Sequence, residues 1–233
     1  MELFIRREIS EIKSFYGTVI IIDVLRAVTS MCCLFSQGVK NIEIKANKEE
    51  CLNHKKQHPE VLTLGEELGY QIDGFDLGNS PEQILSKNLK NHSIVMLTSN
   101  CTRGILAAEN AAAIYCAGFV NIQAVAESLF EHSPEKILIV PMGNLNSRCP
   151  ADDACAEYLY NYLTGKTIDF GRLKSLIEGS PEVEKFFDTT IQEFTTQDLM
   201  ISLSLNKFPY ALTVRKTDFK TEIEGVLKVD TRF

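Results

Sequence analysis

The strongest constraint on the fold is a β-branched run that ends on an acid and recurs in similar form 77 residues later. Thr18-Val-Ile-Ile-Ile22 is the kind of run that fills a strand buried on both faces. It stops at Asp23-x-x-Arg26, and residues 27–37 then read as a helix of small and apolar residues with Gly38 as its stop. Residues 42–45 alternate like a returning strand. In the second unit residues 94–97 form the strand, Asn100-x-x-Arg103 the polar turn, and residues 113–116 the return after an Ala-rich helix. Two βαβ units predict a three-layer α/β fold, with a largely parallel or mixed sheet and helices on both faces. Open sheets of this kind bind ligands at the carboxyl ends of their strands, so both polar turns are expected on one edge.

The rest of the chain fills in the same alternation. Asn47-Lys-Glu-Glu50 opens a helix as a capping box and ends near Pro59, and residues 61–64 form another short strand. Residues 65–80 are a long Gly- and Asp-rich loop; Tyr70, Ile72, Phe75 and Leu77 would anchor it, which predicts an ordered, functional segment. Ser80-Pro81-Glu82 supplies a helix N-cap and first turn. Residues 121–132 read as an amphipathic helix, 136–141 as a strand, 142–151 as a polar loop and 152–163 as a helix closed by Gly165. Beyond residue 167 the chain reads as mainly helical, with starts at Ser180-Pro181-Glu182 and Thr196-Gln-Asp198, and residues 208–215 as an edge strand. No linker interrupts the chain, so a single domain over residues 1–233 is expected, with residues 166–233 its divergent part.

Charge narrows the partners. A net charge of −7 with no run of Lys or Arg argues against nucleic acid or an anionic membrane, which demand a concentrated basic face. A small anion needs only two or three well-placed cations. The start of the chain lacks an apolar leader, and no apolar run approaches the length of a membrane span. Seven cysteines without a CxxC pair are read as reduced, partly buried thiols, which predicts a cytoplasmic protein. None of the four histidines, His54, His58, His92 and His132, sits beside a motif.

Four segments collect at loop positions: Asp23-x-x-Arg26, Glu66 with Asp76-Leu-Gly-Asn-Ser80, Asn100-Cys-Thr-Arg103, and Asp152-Asp153. Arginine grips two oxygens of a phosphate or sulfonate with its planar fork, and helix N-termini favour the same charges. Carboxylates around an anion would repel it unless a divalent cation lay between them, and oxygen ligands suit Mg²⁺. The constellation therefore reads as metal-assisted chemistry on a phosphate ester. The competing reading is that Asp23 and Asn100 only cap their helices, although a cap does not require an Arg three residues on. The chain has no GxxxxGK[ST] loop, and Cys101 lies closer to Arg103 than a thiolate-cradling loop normally allows.

Ile22-Asp-Val-Leu-Arg-Ala27, Gly65-Glu66, Gly74-Phe-Asp-Leu-Gly-Asn-Ser-Pro81, Asn100-x-Thr-Arg103 and Asp152-x-x-Cys155 together closely resemble the 2-phosphosulfolactate phosphatase family, in its order and approximate spacing. The resemblance covers residues 10–165, and the run from Gly74 to Pro81 is its most specific part. It implies a Mg²⁺-dependent hydrolase that cleaves 2-phosphosulfolactate to sulfolactate and phosphate, a step toward coenzyme M, and it is compatible with a homodimer. Arg26 and Arg103 are then expected to hold anionic oxygens of a small phosphorylated acid. Asp23, Glu66 and Asp76 would hold Mg²⁺ or orient water, while Asn79, Ser80, Asn100 and Thr102 supply neutral hydrogen bonds. Asp152 is a general acid or base, or a helix cap.

The chain departs from the family pattern at four places. Glu67 stands where the family has Arg, Cys101 where it has Gly, the acidic pair aligns as Ala151-Asp152 with Asp153 out of register, and the loop from 144 to 150 lacks its small, Gly-containing pattern. A phosphatase for another phosphorylated acid and a non-catalytic anion-binding homologue are the alternatives these changes leave open.

Overall fold

All five residues of the strand Thr18–Ile22 are buried. Val19 and Ile21 enter one hydrophobic core and Ile20 and Ile22 a second, because successive side chains of a strand point to opposite faces. Ile137 and Ile139 divide from Leu138 and Val140 in the same way. Alternation between two cores makes this a three-layer α/β architecture, and it explains why residues 19–22 and 137–140 are all apolar. The computed structural model describes residues 1–144, 147–217 and 220–228.

Among the described residues ten strands form one mixed sheet. In chain order they are β1 (Glu2–Ile5), β2 (Thr18–Ile22), β3 (Asn41–Ile44), β4 (Leu62–Glu67), β5 (Tyr70–Gln71), β6 (Ser93–Leu97), β7 (Ala113–Ala117), β8 (Lys136–Pro141), β9 (Tyr210–Lys216) and β10 (Thr221–Leu227). Across the sheet the order is β1-β8-β2-β7-β9-β10-β3-β6-β4-β5. β1, β8, β2 and β7 are mutually parallel, as are β3, β6 and β4. The antiparallel β9–β10 hairpin joins the two groups through antiparallel pairings with β7 and β3.

That order carries the internal repeat. Exchanging β2 with β6, β7 with β3, β8 with β4 and β9 with β10 returns the same central arrangement, so the two halves face each other head to tail about the hairpin. The helix after β2, Ala27–Ser36, leads to the far half, and the helix after β6, Cys101–Ala107, leads back to the first half, where Gly104 meets Ile21. The expected single parallel edge is therefore corrected: β2 and β6 run in opposite senses. Their carboxyl ends still line one cleft, since Asp23 and Asn100 both face it.

The C-terminal part differs most from expectation. Residues 208–215 were expected at an edge, and instead β9 lies in the middle of the sheet with Ala211 and Leu212 fully buried. Its partner β10 has no apolar run to announce it. Glu222 is buried there because Arg215, Lys220 and Asn41 all contact its carboxylate. Ser180-Pro181-Glu182 opens a 3₁₀ segment, Pro181–Phe186, and not an α-helix. In residues 65–80, β4 continues to Glu67, a turn follows at Leu68 and Gly69, and Ile72, Phe75 and Leu77 are buried as anchors; Tyr70 is exposed. Residues 145 and 146 of the polar loop lie outside the described residues.

Gly65 is needed where β4 passes β6: a Cβ there would stand 2.3 Å from the Leu97 carbonyl oxygen. Gly65→Ala is expected to lower stability by about 1–3 kcal/mol, the usual cost of forcing backbone apart, read as a reduced urea midpoint. An unchanged midpoint would mean that the two strands slide freely.

Candidate active site

Asp23 follows β2, and its Oδ1 accepts the Ala27 amide at 3.2 Å, although the residue at the N-cap of the helix Ala27–Ser36 is Arg26. It also lines a cavity of about 200 Å³ together with Arg26, Glu66, Asn79, Asn100, Asn144, Lys185 and Phe194. Burial, and then the negative charge of Glu66, push its carboxyl up to about 7, against the pull of the Ala27 and Cys101 amides.

Glu66 is fixed by the strand ends around it. Its Oε1 accepts the Ser99 amide at 2.7 Å, and its Oε2 accepts the Gly69 amide at 2.6 Å and the Ser99 hydroxyl at 3.1 Å. Asp152, in the first turn of the helix Pro150–Leu163, accepts the Val24 amide at 2.8 Å and the Gly143 amide at 3.0 Å. It thereby ties the ends of β2 and β8, and burial and nearby Asp23 hold its carboxyl well above the usual range. Asp153 instead pairs with Arg7 and Arg148 at the surface.

Arg26 faces the cleft with its guanidinium already engaged. It donates to Asp198 Oδ2 at 2.7 Å, to the Gly69 carbonyl at 2.9 Å and to the Glu193 carbonyl, and it lies 4.6 Å from the Phe194 ring centre. Asp198 is fully buried and accepts the Ser80 hydroxyl at 2.8 Å and the Glu82 amide at 2.9 Å through its other oxygen. Ser80 therefore serves this network and caps Pro81–Leu85. Asn79 has a buried Oδ1 with no hydrogen-bond partner among the described residues.

Three expected residues stand elsewhere. Asp76 binds Thr63 through the amide and hydroxyl, with Lys55 at 3.2 Å. Thr63 precedes Glu66 by three positions in β4, roughly 10 Å back along the strand. The Thr102 hydroxyl accepts the Thr98 amide. Arg103 is exposed at a separate cavity on the other side of Glu66 and Ser99. The structure thus gathers Asp23, Arg26, Glu66, Asn79 and Asn100 around the cleft, keeps Ser80 and Asp152 in the hydrogen-bond networks behind it, and leaves Asp76, Thr102 and Arg103 outside it.

Sequence reading missed Lys185, Phe194 and Asp198. The Lys185 ammonium lies 4.5 Å from the Phe194 ring centre and lines the cleft, and burial lowers its pKa. No local pattern marks these residues, because they reach the cleft from more than 80 positions past Arg103. Among the described residues no three His, Cys, Asp or Glu side chains form a ready-made metal site, and no helix is long and apolar enough to cross a membrane. All seven cysteines are buried and unpaired.

The 2-phosphosulpholactate phosphatase family profile matches residues 3–203. A protein of Bacillus subtilis (strain 168) named "Probable 2-phosphosulfolactate phosphatase" is 29% identical over 212 residues, covering 89% of this chain and 91% of its own. Proteins of the same name from Prochlorococcus marinus and Deinococcus radiodurans are 33% and 36% identical; the matches cover 64% and 60% of this chain, and 62% and 60% of theirs. Matched from β1 to the residues around Asp198, this chain belongs to the 2-phosphosulfolactate phosphatase family, whose members are phosphoric monoester hydrolases.

Proposed function

We propose that this chain is a Mg²⁺-dependent phosphatase that hydrolyses 2-phosphosulfolactate, or a closely related phosphorylated hydroxy acid, to the free acid and inorganic phosphate. The observation that carries this reading is one cleft lined by a buried acid pair, Asp23 and Glu66, and by the Lys185 ammonium. Burial, and then the neighbouring charge of Glu66, raise the Asp23 pKa. With the partnerless Asn79 Oδ1, these groups offer the hard oxygen donors that suit Mg²⁺. Asp23, Glu66 and Asn79 would hold the ion, which lowers the pKa of bound water and neutralises phosphoryl charge. Seven unpaired thiols suit a reducing cytoplasm.

In the reaction a water oxygen bonds to phosphorus and the ester P–O bond breaks; the water gives up a proton and the departing oxygen gains one. Lys185 supplies positive charge to the phosphoryl oxygens, in a cleft where partial burial strengthens the attraction. Asp152 holds the Val24 and Gly143 amides, and so the ends of β2 and β8 beside Asp23, in position. Arg26 anchors the Gly69 turn and the C-terminal segment to the cleft floor. Lys185→Met is expected to lower kcat/KM at least tenfold, the scale of losing one charge-assisted contact; near-normal turnover would remove Lys185 from the mechanism.

The deciding experiment measures phosphate release from 2-phosphosulfolactate and a panel of phosphorylated hydroxy acids, with Mg²⁺ and with EDTA. Release from the sulfonate compound that stops with EDTA is the expected result. Release only from another acid would shift the substrate. Binding without any release would leave an anion-binding protein.

A further inference from the structure

A larger cavity of about 700 Å³ lies beside the cleft, within the size range of small-molecule sites. Glu66, Leu68 and Ser99 line both spaces. They form a hydrogen-bonded partition: the Leu68 amide donates to Ser99 Oγ at 3.2 Å, and Ser99 Oγ donates to Glu66 Oε2 at 3.1 Å. Leu68 is 66% exposed and holds a left-handed φ of 54°. A bulky apolar residue carries a conformational cost there, and polar Asn or Gly are the usual choices. A leucine kept at the tip between two cavities is better explained by what it borders than by the turn.

The lining of the larger cavity is mixed. Ile9, Ile72, Leu97 and Leu106 supply an apolar wall. Arg103, Lys13 and Lys48 stand around it, and none has a side-chain hydrogen bond or ion pair among the described residues. Of the acids there, Glu66 is already bonded to Ser99 and Gly69, and Glu109 interacts with Lys216, outside the cavity. Glu66, Glu67 and Glu109 match the three cations in number, but both Glu66 oxygens are taken up by Ser99 and Gly69, and no carboxylate among the described residues bonds Arg103, Lys13 or Lys48. Arg103 presents the planar donor fork that binds carboxylate, sulfonate or phosphate in two-point fashion.

We infer that this cavity is a second ligand site, separate from the cleft, for a small organic anion with an apolar body. The anionic group meets Arg103 and the two lysines, and the body lies against Leu97 and Leu106. Asn47 and Thr98 also border it and leave room for a polar substituent.

The test is a fluorescence titration of the full chain with 8-anilinonaphthalene-1-sulfonate, a sulfonate with an aromatic body. The expected result is saturable one-site binding that persists in saturating phosphate and Mg²⁺. Arg103→Glu should weaken it at least tenfold, and Leu106→Trp, which adds bulk to the wall, should weaken it similarly. Arg103 is exposed, so its variant is expected to fold, and a urea midpoint equal to wild type checks this. No saturable binding by the wild type, or equal affinity in a folded Arg103→Glu, would overturn the inference. Displacement by phosphate would put the probe in the cleft and overturn it as well. So would sedimentation showing a wild-type dimer that Leu106→Trp separates, because a second copy would then fill the cavity.

Discussion

Asp198→Ala is expected to destabilise the protein by about 3–5 kcal/mol, the range for breaking a buried ion pair from one side. The Arg26 guanidinium, 3% exposed, would be left without its counter-charge, and the Ser80 hydroxyl and Glu82 amide without their acceptor. Burial makes this pair count where a surface pair would not. The double variant Arg26→Met with Asp198→Leu should recover much of the loss, since it removes the stranded charge along with the bond. Urea unfolding of the three proteins decides it; a loss below about 1 kcal/mol in the single variant would mean that water reaches Arg26 freely. Because Arg26 also binds the Gly69 carbonyl, the Asp198 variant should loosen the wall of the cleft, and its remaining folded fraction should show a raised KM.

Asp23→Asn is expected to act in opposite directions on activity and stability. Turnover should fall a hundredfold or more, on the reading that Asp23 supplies an anionic oxygen to Mg²⁺. In the metal-free protein the same change should be stabilising above pH 7. The Asp23 carboxyl titrates near 3.8 when unfolded and at about 7 when folded. Below 3.8 both states hold the proton and the residue is neutral to stability. Between 3.8 and about 7 the folded state keeps a proton that the unfolded state has released, so stability falls as pH rises. At roughly 1.4 kcal/mol per pH unit the accumulated penalty is about 4 kcal/mol, and asparagine does not carry it. Thermal unfolding at pH 5 and pH 8, with and without Mg²⁺, reads all of this. Mg²⁺ should raise the wild-type midpoint at pH 8 and leave Asp23→Asn unmoved. Equal midpoints for the two metal-free proteins at pH 8 would contradict the buried acid pair.

The parts of the site legible in the chain were those at the ends of buried strands. Asp23 follows five apolar or β-branched residues, so its place at a strand terminus was readable, as was that of Asn100 after residues 94–97. Asp76 illustrates the limit. It belongs to the same short run as Asn79, yet its carboxylate turns to Thr63 and Lys55 while Asn79 lines the cleft. Which way a side chain faces in an irregular segment depends on the strand beside it, and that strand's own register is set by β6, far along the chain. Arg26 and Arg103 looked equivalent, three residues after matched polar positions. The structure separates them, because Asp198 reaches Arg26 and no carboxylate among the described residues bonds Arg103.

By itself the sequence determined the three-layer α/β class, the repeat and the identity of the polar strand ends, because these follow from local periodicity and from where apolar runs stop. The tertiary structure alone decided that the two halves oppose each other across a central C-terminal hairpin, and that Lys185, Phe194 and Asp198 complete the cleft. Those arrangements join segments far apart in the chain. They depend on the pairing of β9 with β7 and of β10 with β3, and on burial that compensates charges such as Glu222 and Asp198. A charged residue reads as surface in a linear pattern; only its folded partners make it an interior one.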